Sequence, residues 1–296
     1  MNANTATRHC HGGLGGTVIF IFWRNRLNLP VLFNCLHCVH YGTDDMRLPF
    51  LLLSLLCLLS GNLQALDTAA LATALNAPGR DVADRVRDAV RKPIAVLDFL
   101  GVDTGMTVVD LYAAEGYFTY ILAKAVGPNG VVYAQTPPRS ASGQDDRVDM
   151  TQGDALQQKI IDGNLTNVVR LEKPVQELGL APESADFVLI SQILHDYFNA
   201  NPLRGQQMLE QVRALLKPGG IVGIIDHVGN PDGDNLRMHR MLKTDAVHVA
   251  EQAGFIVEAD SDLLHNPADN HRRSIFDPML QRNSDQFLLR LRKPSQ

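Results

Sequence analysis

From Asp67 onward the apolar positions keep two rhythms in turn, a helical one and a short continuous one. "DRVRDAVRKPIAVLDFLGV", residues 84–102, has apolar residues at near-helical spacing interrupted by Pro93. This predicts one helix ending near Arg91 and another over about 93–100. After the turn at Gly105, residues 107–111 form an apolar run of buried-strand type. A helix over about 116–126, the turn "GPNG" and a strand over 131–135 follow. Residues 136–154 are polar and rich in turn formers, a loop or insertion whose end starts a helix running towards Ile161. Strands are expected at 168–171, 185–191 and 221–226, with a helix over 204–216 and "KPGG", residues 217–220, as the turn that closes it. A helix over 236–253, a strand over 256–263, a polar loop over 264–284 and a last strand over 286–291 complete the pattern.

Strands alternating with helices imply an α/β fold of three layers, a mainly parallel seven-stranded sheet with helices on both faces. The last two strands, joined by a loop alone, predict a closing antiparallel hairpin. Residues 66–296 then read as a single domain.

The 296-residue chain is 45% apolar and 20% charged, with a formal net charge of -5. It has no long Lys/Arg run, which argues against a nucleic-acid partner or an anionic membrane surface and favours small-molecule chemistry. All four cysteines, Cys10, Cys35, Cys38 and Cys57, precede the expected domain. A domain without cysteine can work in an oxidising compartment. "MRLPFLLLSLLCLLSGNLQA", residues 46–65, has a methionine and arginine, a short leucine-rich run and a small residue at its end. It reads as a cleaved signal peptide, too short for a membrane span, and implies export to the periplasm. Residues 1–45 show no clear period and read as a non-native or disordered extension ahead of the true start. Within them, Cys35, His37, Cys38 and His40 form only a weak metal pattern.

Asp110 ending the first strand, Gly116 opening the next helix, and "LLKPGGIVGIID" leading through the fifth strand together resemble class I S-adenosylmethionine-dependent methyltransferases. The resemblance covers about residues 80–293. "RDAVRKP", "LHDYFNANPLR", "DHVGNPDG" and "NHRRSIFDPMLQRNSDQFLLRLRKP" are similar to predicted bacterial methyltransferases that carry signal peptides. It implies a Rossmann-like fold, S-adenosyl-L-methionine as cofactor and a small-molecule methyl acceptor. In that family the turn after strand one is usually Asp/Glu-x-Gly-x-Gly-x-Gly, and in this chain Tyr112 and Ala114 take the first two glycine positions. Gly116 serves either cofactor contact or close packing. Gln135 stands where an acid normally accepts the ribose hydroxyls, and an amide can accept one such bond. Asp154, in "GDA", precedes strand three and reads as a loop residue.

Two dyads carry further chemistry: His195 and Asp196 on a loop beyond strand four, and Asp226 and His227 closing strand five. Both are expected at one rim, where His195 is the candidate general base for an oxygen or nitrogen acceptor. A divalent metal held by Asp196, Asp226 and a histidine is a second possibility, and it is not favoured. His271, Arg272 and Arg273 lie on a loop that can fold over this rim, and Arg91 and Lys92 lie on the helix before strand one. Arg91, His271 and Arg272 are the candidate substrate contacts. Two functions compete: a methyltransferase, and an exported non-catalytic binding protein on a decayed methyltransferase scaffold.

Overall fold

Seven strands form one sheet in the order β3-β2-β1-β4-β5-β7-β6. The computed structural model describes residues 65–138 and 151–295. The expected extension, the leader and the Cys35/His37/Cys38/His40 cluster lie outside these residues. Residues from Gly61 to Gln296 make up one compact unit. Among the described residues no helix is long and apolar enough to cross a membrane.

In chain order the elements are α1 (Thr68–Leu75), α2 (Val82–Arg91), α3 (Pro93–Leu100), β1 (Thr107–Leu111), α4 (Tyr117–Val126), β2 (Val131–Thr136), α5 (Gln152–Asp162) and β3 (Val168–Glu172). Then come β4 (Ala185–Ser191), α6 (Leu194–Ala200), α7 (Pro202–Leu215), β5 (Leu216–His227), α8 (Asn235–Met238), α9 (Lys243–Gln252), β6 (Ile256–Ser261) and β7 (Gln286–Arg292). Strands β1 to β5 pair in parallel, and β7 runs antiparallel between β5 and β6.

The two-residue period of the strands sorts their side chains into two cores. Val108, Phe187, Leu189 and Leu288 face α1, α3 and α4 on one side of the sheet. Val109, Val188, Ile190, Val222 and Leu289 face α7 and α9 on the other. Each such side chain, fully removed from water, contributes roughly 1.5–3 kcal/mol. Parallel strands covered on both faces are mostly apolar, which is why β1 and β4 read as apolar runs interrupted by a single acid each, Asp110 and Asp186.

Four local expectations need correction. "KPGG" lies within β5 as a bulge: Leu216 pairs with Ala185 but Ile221 with Phe187, so the extra residues loop out, with Gly219 at φ 76°. The helix expected over 236–253 is two, because His239 takes a left-handed φ of 53° and ends α8. His195 and Asp196 lie in the first turn of a helix, not on a loop. Asp154 is part of a capping box with Thr151 at the start of α5.

The order of the strands reverses between β1 and β4, whose neighbours run away in opposite directions. That reversal opens a crevice at their carboxyl ends, where such sheets bind ligands.

Candidate functional site

At this crevice lies a cavity of about 700 Å³. Its walls come from α2 (Arg87, Arg91), Asp110 of β1 and the turn after it (Tyr112 to Glu115), the exit of β4 (Ser191, Gln192), His227 at the end of β5, and the last loop from Ile275 to Pro278 with Gln281, Arg282 and Ser284. Its size is that of a small-molecule site. Arg87, Arg91 and Arg282 meet Asp110, Glu115 and Asp277 around it, a mixture of charge that suits a zwitterionic ligand.

The turn after β1 keeps its backbone with only the last of its three glycines. Tyr112, Ala114 and Gly116 all lie in the left-handed region, at φ 55°, 49° and 82°. For an L-residue that conformation costs roughly 1–2 kcal/mol. Gln135 helps hold it: its Oε1 accepts from the Tyr112 backbone N–H at 2.9 Å and its Nε2 donates to the Lys173 carbonyl at 2.7 Å. Gln192, Gln281 and Arg282 also line the cavity at positive φ. Half of the ten positive-φ non-glycine residues among the described ones therefore sit on this wall. Such strain concentrates at functional sites.

Tyr112 does not plug the cleft. Its ring packs edge-on against Tyr197, 5.8 Å between centroids, and the two phenol oxygens are hydrogen-bonded. Burial, followed by that bond, raises the Tyr112 hydroxyl pKa and keeps it neutral.

Asp110 is buried and accepts from Thr119 Oγ1 at 2.6 Å. Burial pushes its carboxyl up to about 7, against the opposing effects of the Thr119 bond and the Arg91 charge. Arg91 lies 4.6 Å from the centroid of the Tyr117 ring and donates to Gln192 Oε1 at 3.2 Å. Helix α2 is fastened above the cavity by Asp88, which pairs with Arg80 and accepts from the Tyr117 hydroxyl at 2.8 Å.

The two dyads do meet at one rim, but their members divide the work. Asp226 is fully buried and accepts three hydrogen bonds: from the His195 backbone N–H (2.9 Å), from His195 Nδ1 (2.7 Å) and from the His227 backbone N–H (2.8 Å). It caps α6 and orients His195. The second His195 nitrogen, Nε2, faces Asp196 Oδ1 at 3.2 Å. Burial alone would depress this imidazole, but hydrogen bonds and charge from Asp196 and Asp226 prevail and lift it to about 9. With both ring nitrogens facing carboxylates and the residue absent from the cavity wall, His195 is not placed to take a proton from an acceptor there.

His227 does line the cavity. Its Nδ1 lies 2.7 Å from Ser284 Oγ, and its buried Nε2 has no partner among the described residues. Burial brings its pKa down to about 3, so the ring is neutral.

Four other expected contacts are displaced. Gln135 is fully buried, and both ends of its amide are used within the fold, so it does not offer an acceptor to a ribose. Gly116 serves packing: a Cβ there would come within 2.7 Å of Leu156 Cδ1, and the residue does not line the cavity. His271 and Arg272 are also off the cavity wall. The His271 Nε2 is held by Asp285 Oδ2 at 2.8 Å.

The loop over the rim is instead anchored by a fully buried ion pair, Arg240 with Asp269 at 2.8 Å, and contributes Phe276, Gln281, Arg282 and Ser284 to the wall. Sequence reasoning misses these along with Glu115 and Gln192. Gln192 alone carries a usable signal, as the residue directly beyond the carboxyl end of a buried strand.

No family model matches the chain, and no curated protein matches its sequence. Solved structures do match its shape. A SAM-dependent methyltransferase from Aquifex aeolicus is 20% identical with a TM-score of 0.52, over 76% of this chain and 98% of that one. An O-methyltransferase family protein from Burkholderia thailandensis is 19% identical with a TM-score of 0.50, over 77% of this chain and 61% of that one. The [4+2]-cyclase SpnF is 16% identical with a TM-score of 0.51, over 79% of this chain and 98% of that one. At such identities the likeness establishes the architecture, the Rossmann-like fold of methyltransferases. A cyclase among the matches shows that this fold admits more than one reaction.

Proposed function

We propose that the chain binds S-adenosylmethionine in this cavity and methylates an oxygen or nitrogen nucleophile of a small molecule. The observation that carries the reading is the β1–α4 turn, held left-handed at Tyr112 and Ala114 despite the cost and opening on a cavity lined by Arg91 and Asp110. These residues fit the zwitterionic end of the cofactor: Arg91 for its carboxylate, Asp110 for its cationic groups. With Gln135 engaged elsewhere, Glu115 at the rim is the acid left for the ribose hydroxyls. When bound, the cofactor supplies an electrophilic methyl group.

The chain's own part in the transfer is alignment and removal of the acceptor's proton. His227 takes over the role that the sequence suggests for His195, because it lines the cavity and its buried Nε2 has no partner among the described residues, while both His195 nitrogens face carboxylates. Ser284 fixes the ring from the other side. The same proposal has the domain work in the periplasm once the 46–65 leader is removed.

Calorimetric titration of the chain with S-adenosylmethionine and S-adenosylhomocysteine tests the reading. Binding is expected, weakened at least tenfold by Arg91→Ala. No heat up to millimolar ligand would sink it and leave a non-catalytic binding protein on this scaffold. With an acceptor in hand, His227→Gln is expected to lower turnover by about 10²–10⁴ while cofactor affinity holds.

A further inference from the structure

Beside the cavity, the first turn of α6 and the end of α8 bring two imidazoles and a carboxylate together. His195, Asp196 and His239 each offer a ligand atom, and these atoms all lie within 4.8 Å of one another. Asp196 Oδ1 is 3.2 Å from His195 Nε2 and 2.9 Å from His239 Nδ1. Ligand atoms around a tetrahedral zinc, at bonds of about 2.0–2.1 Å, stand about 3.3 Å apart. Two of the three separations are within about 0.4 Å of that spacing, and the third lies within 4.8 Å, so side-chain adjustment alone would accommodate an ion.

A second feature, independent of that cluster, points the same way. Asp226 is fully buried and engages His195 Nδ1 at 2.7 Å, while also accepting the two backbone N–H groups that hold it still. A carboxylate on the far nitrogen of a histidine fixes the tautomer that presents the other nitrogen to a metal, and raises its basicity. The third ligand is likewise held. His239 ends α8 in a left-handed conformation, and Asn199 of α6 donates to the carbonyl of the next residue, Arg240, at 2.7 Å. Without an ion, an Asp196 oxygen that bridges two imidazoles needs a proton on each facing nitrogen. One divalent cation replaces both.

We infer that His195, Asp196 and His239 form a binding site for a divalent transition-metal ion of the zinc class. Two imidazoles select such ions over magnesium or calcium, which prefer all-oxygen sites. The side chains of Asp196 and His239 are 42% and 37% exposed, so an ion has a path in and keeps positions open to water. The site stands one side chain from the cavity: the His195 ring packs on His227 at 5.7 Å and the His239 ring on Phe276 at 4.9 Å, and both neighbours line the cavity. The inference is independent of the cofactor reading, since its measurement is metal binding alone.

The test is titration of the chelator-treated full chain with Co²⁺, followed by visible absorption, and with Zn²⁺ by calorimetry. The expected result is one ion per chain with nitrogen and oxygen ligands, undiminished in Cys35→Ser/Cys38→Ser. Asp196→Asn and His239→Asn are expected to weaken binding at least tenfold. Asparagine tolerates the left-handed cap at position 239, and Asp196 is exposed enough for its amide to fold should the other variant fail. A thiolate-to-cobalt band that disappears with the cysteines, affinity unchanged in both ligand variants, or no binding below millimolar metal would each overturn the site.

Discussion

Replacing Asp110 by asparagine isolates the electrostatic cost of the cavity floor. The carboxyl is completely buried and its pKa rises from 3.8 to about 7 on folding. Between these values the native chain keeps a proton that the unfolded chain has lost, so stability falls as pH rises, by about 1.4 kcal/mol per unit. Below about pH 3 both states are protonated and the group contributes nothing. Above pH 7 the full penalty applies, on the order of 4 kcal/mol. The carboxamide would keep shape and hydrogen bonding without the charge. Asp110→Asn is therefore expected to match the parent below about pH 3 and to exceed it by several kcal/mol at pH 8, less about 1 kcal/mol for the changed bond to Thr119. Urea unfolding of both chains at pH 4.5, 6 and 8 gives the difference, with all other titrating groups cancelling. A difference that does not vary with pH would refute the argument. The same charge should matter to a cationic ligand, whose affinity for the parent should fall about tenfold per pH unit below 7 and stay level in the variant.

Gly116→Ala should destabilise by about 2–4 kcal/mol, from the left-handed φ and the 2.7 Å approach to Leu156; a loss under about 1 kcal/mol in urea unfolding would contradict the packing role. Gln135→Glu, which restores the family's acid, should cost about 2–3 kcal/mol by setting a carboxylate against the Lys173 carbonyl, with no gain in cofactor affinity by calorimetry. Tighter binding in that variant would return position 135 to the ribose. Asp269→Asn breaks the buried pair with Arg240 and should cost about 3–5 kcal/mol. Proteolysis should then open the 265–285 loop first, and cleavage elsewhere would discount the anchoring role.

Local pattern carries the sheet. Thr107–Leu111 and Ala185–Ser191 are legible to the residue because buried parallel strands are short and mostly apolar. What the pattern misses depends on partners far away in the chain. Helix α6 looks like a loop in sequence because its cap is Asp226, thirty-one residues from His195. The break at His239 is hidden because Arg240 is drawn into the fold by Asp269, beyond β6. Position alone gives Gln135 to the ribose, whereas Tyr112 and Lys173, its actual partners, come from the neighbouring strands' ends. The adjacency of the two dyads is legible, since β4 and β5 are neighbours in such sheets. Which imidazole faces the cavity is not, because it turns on Ser284 and on the path of the last loop.

The carboxamide of Gln135 has one more consequence. A hinge normally spelled in glycine is here braced at Tyr112 from an adjoining strand, so its form depends less on glycine ahead of Gly116. Substitutions inside the hinge can accumulate while the brace persists, and loss of the brace would release them all at once. Drift in this lineage should thus be gradual at positions 112 and 114 and abrupt at 135.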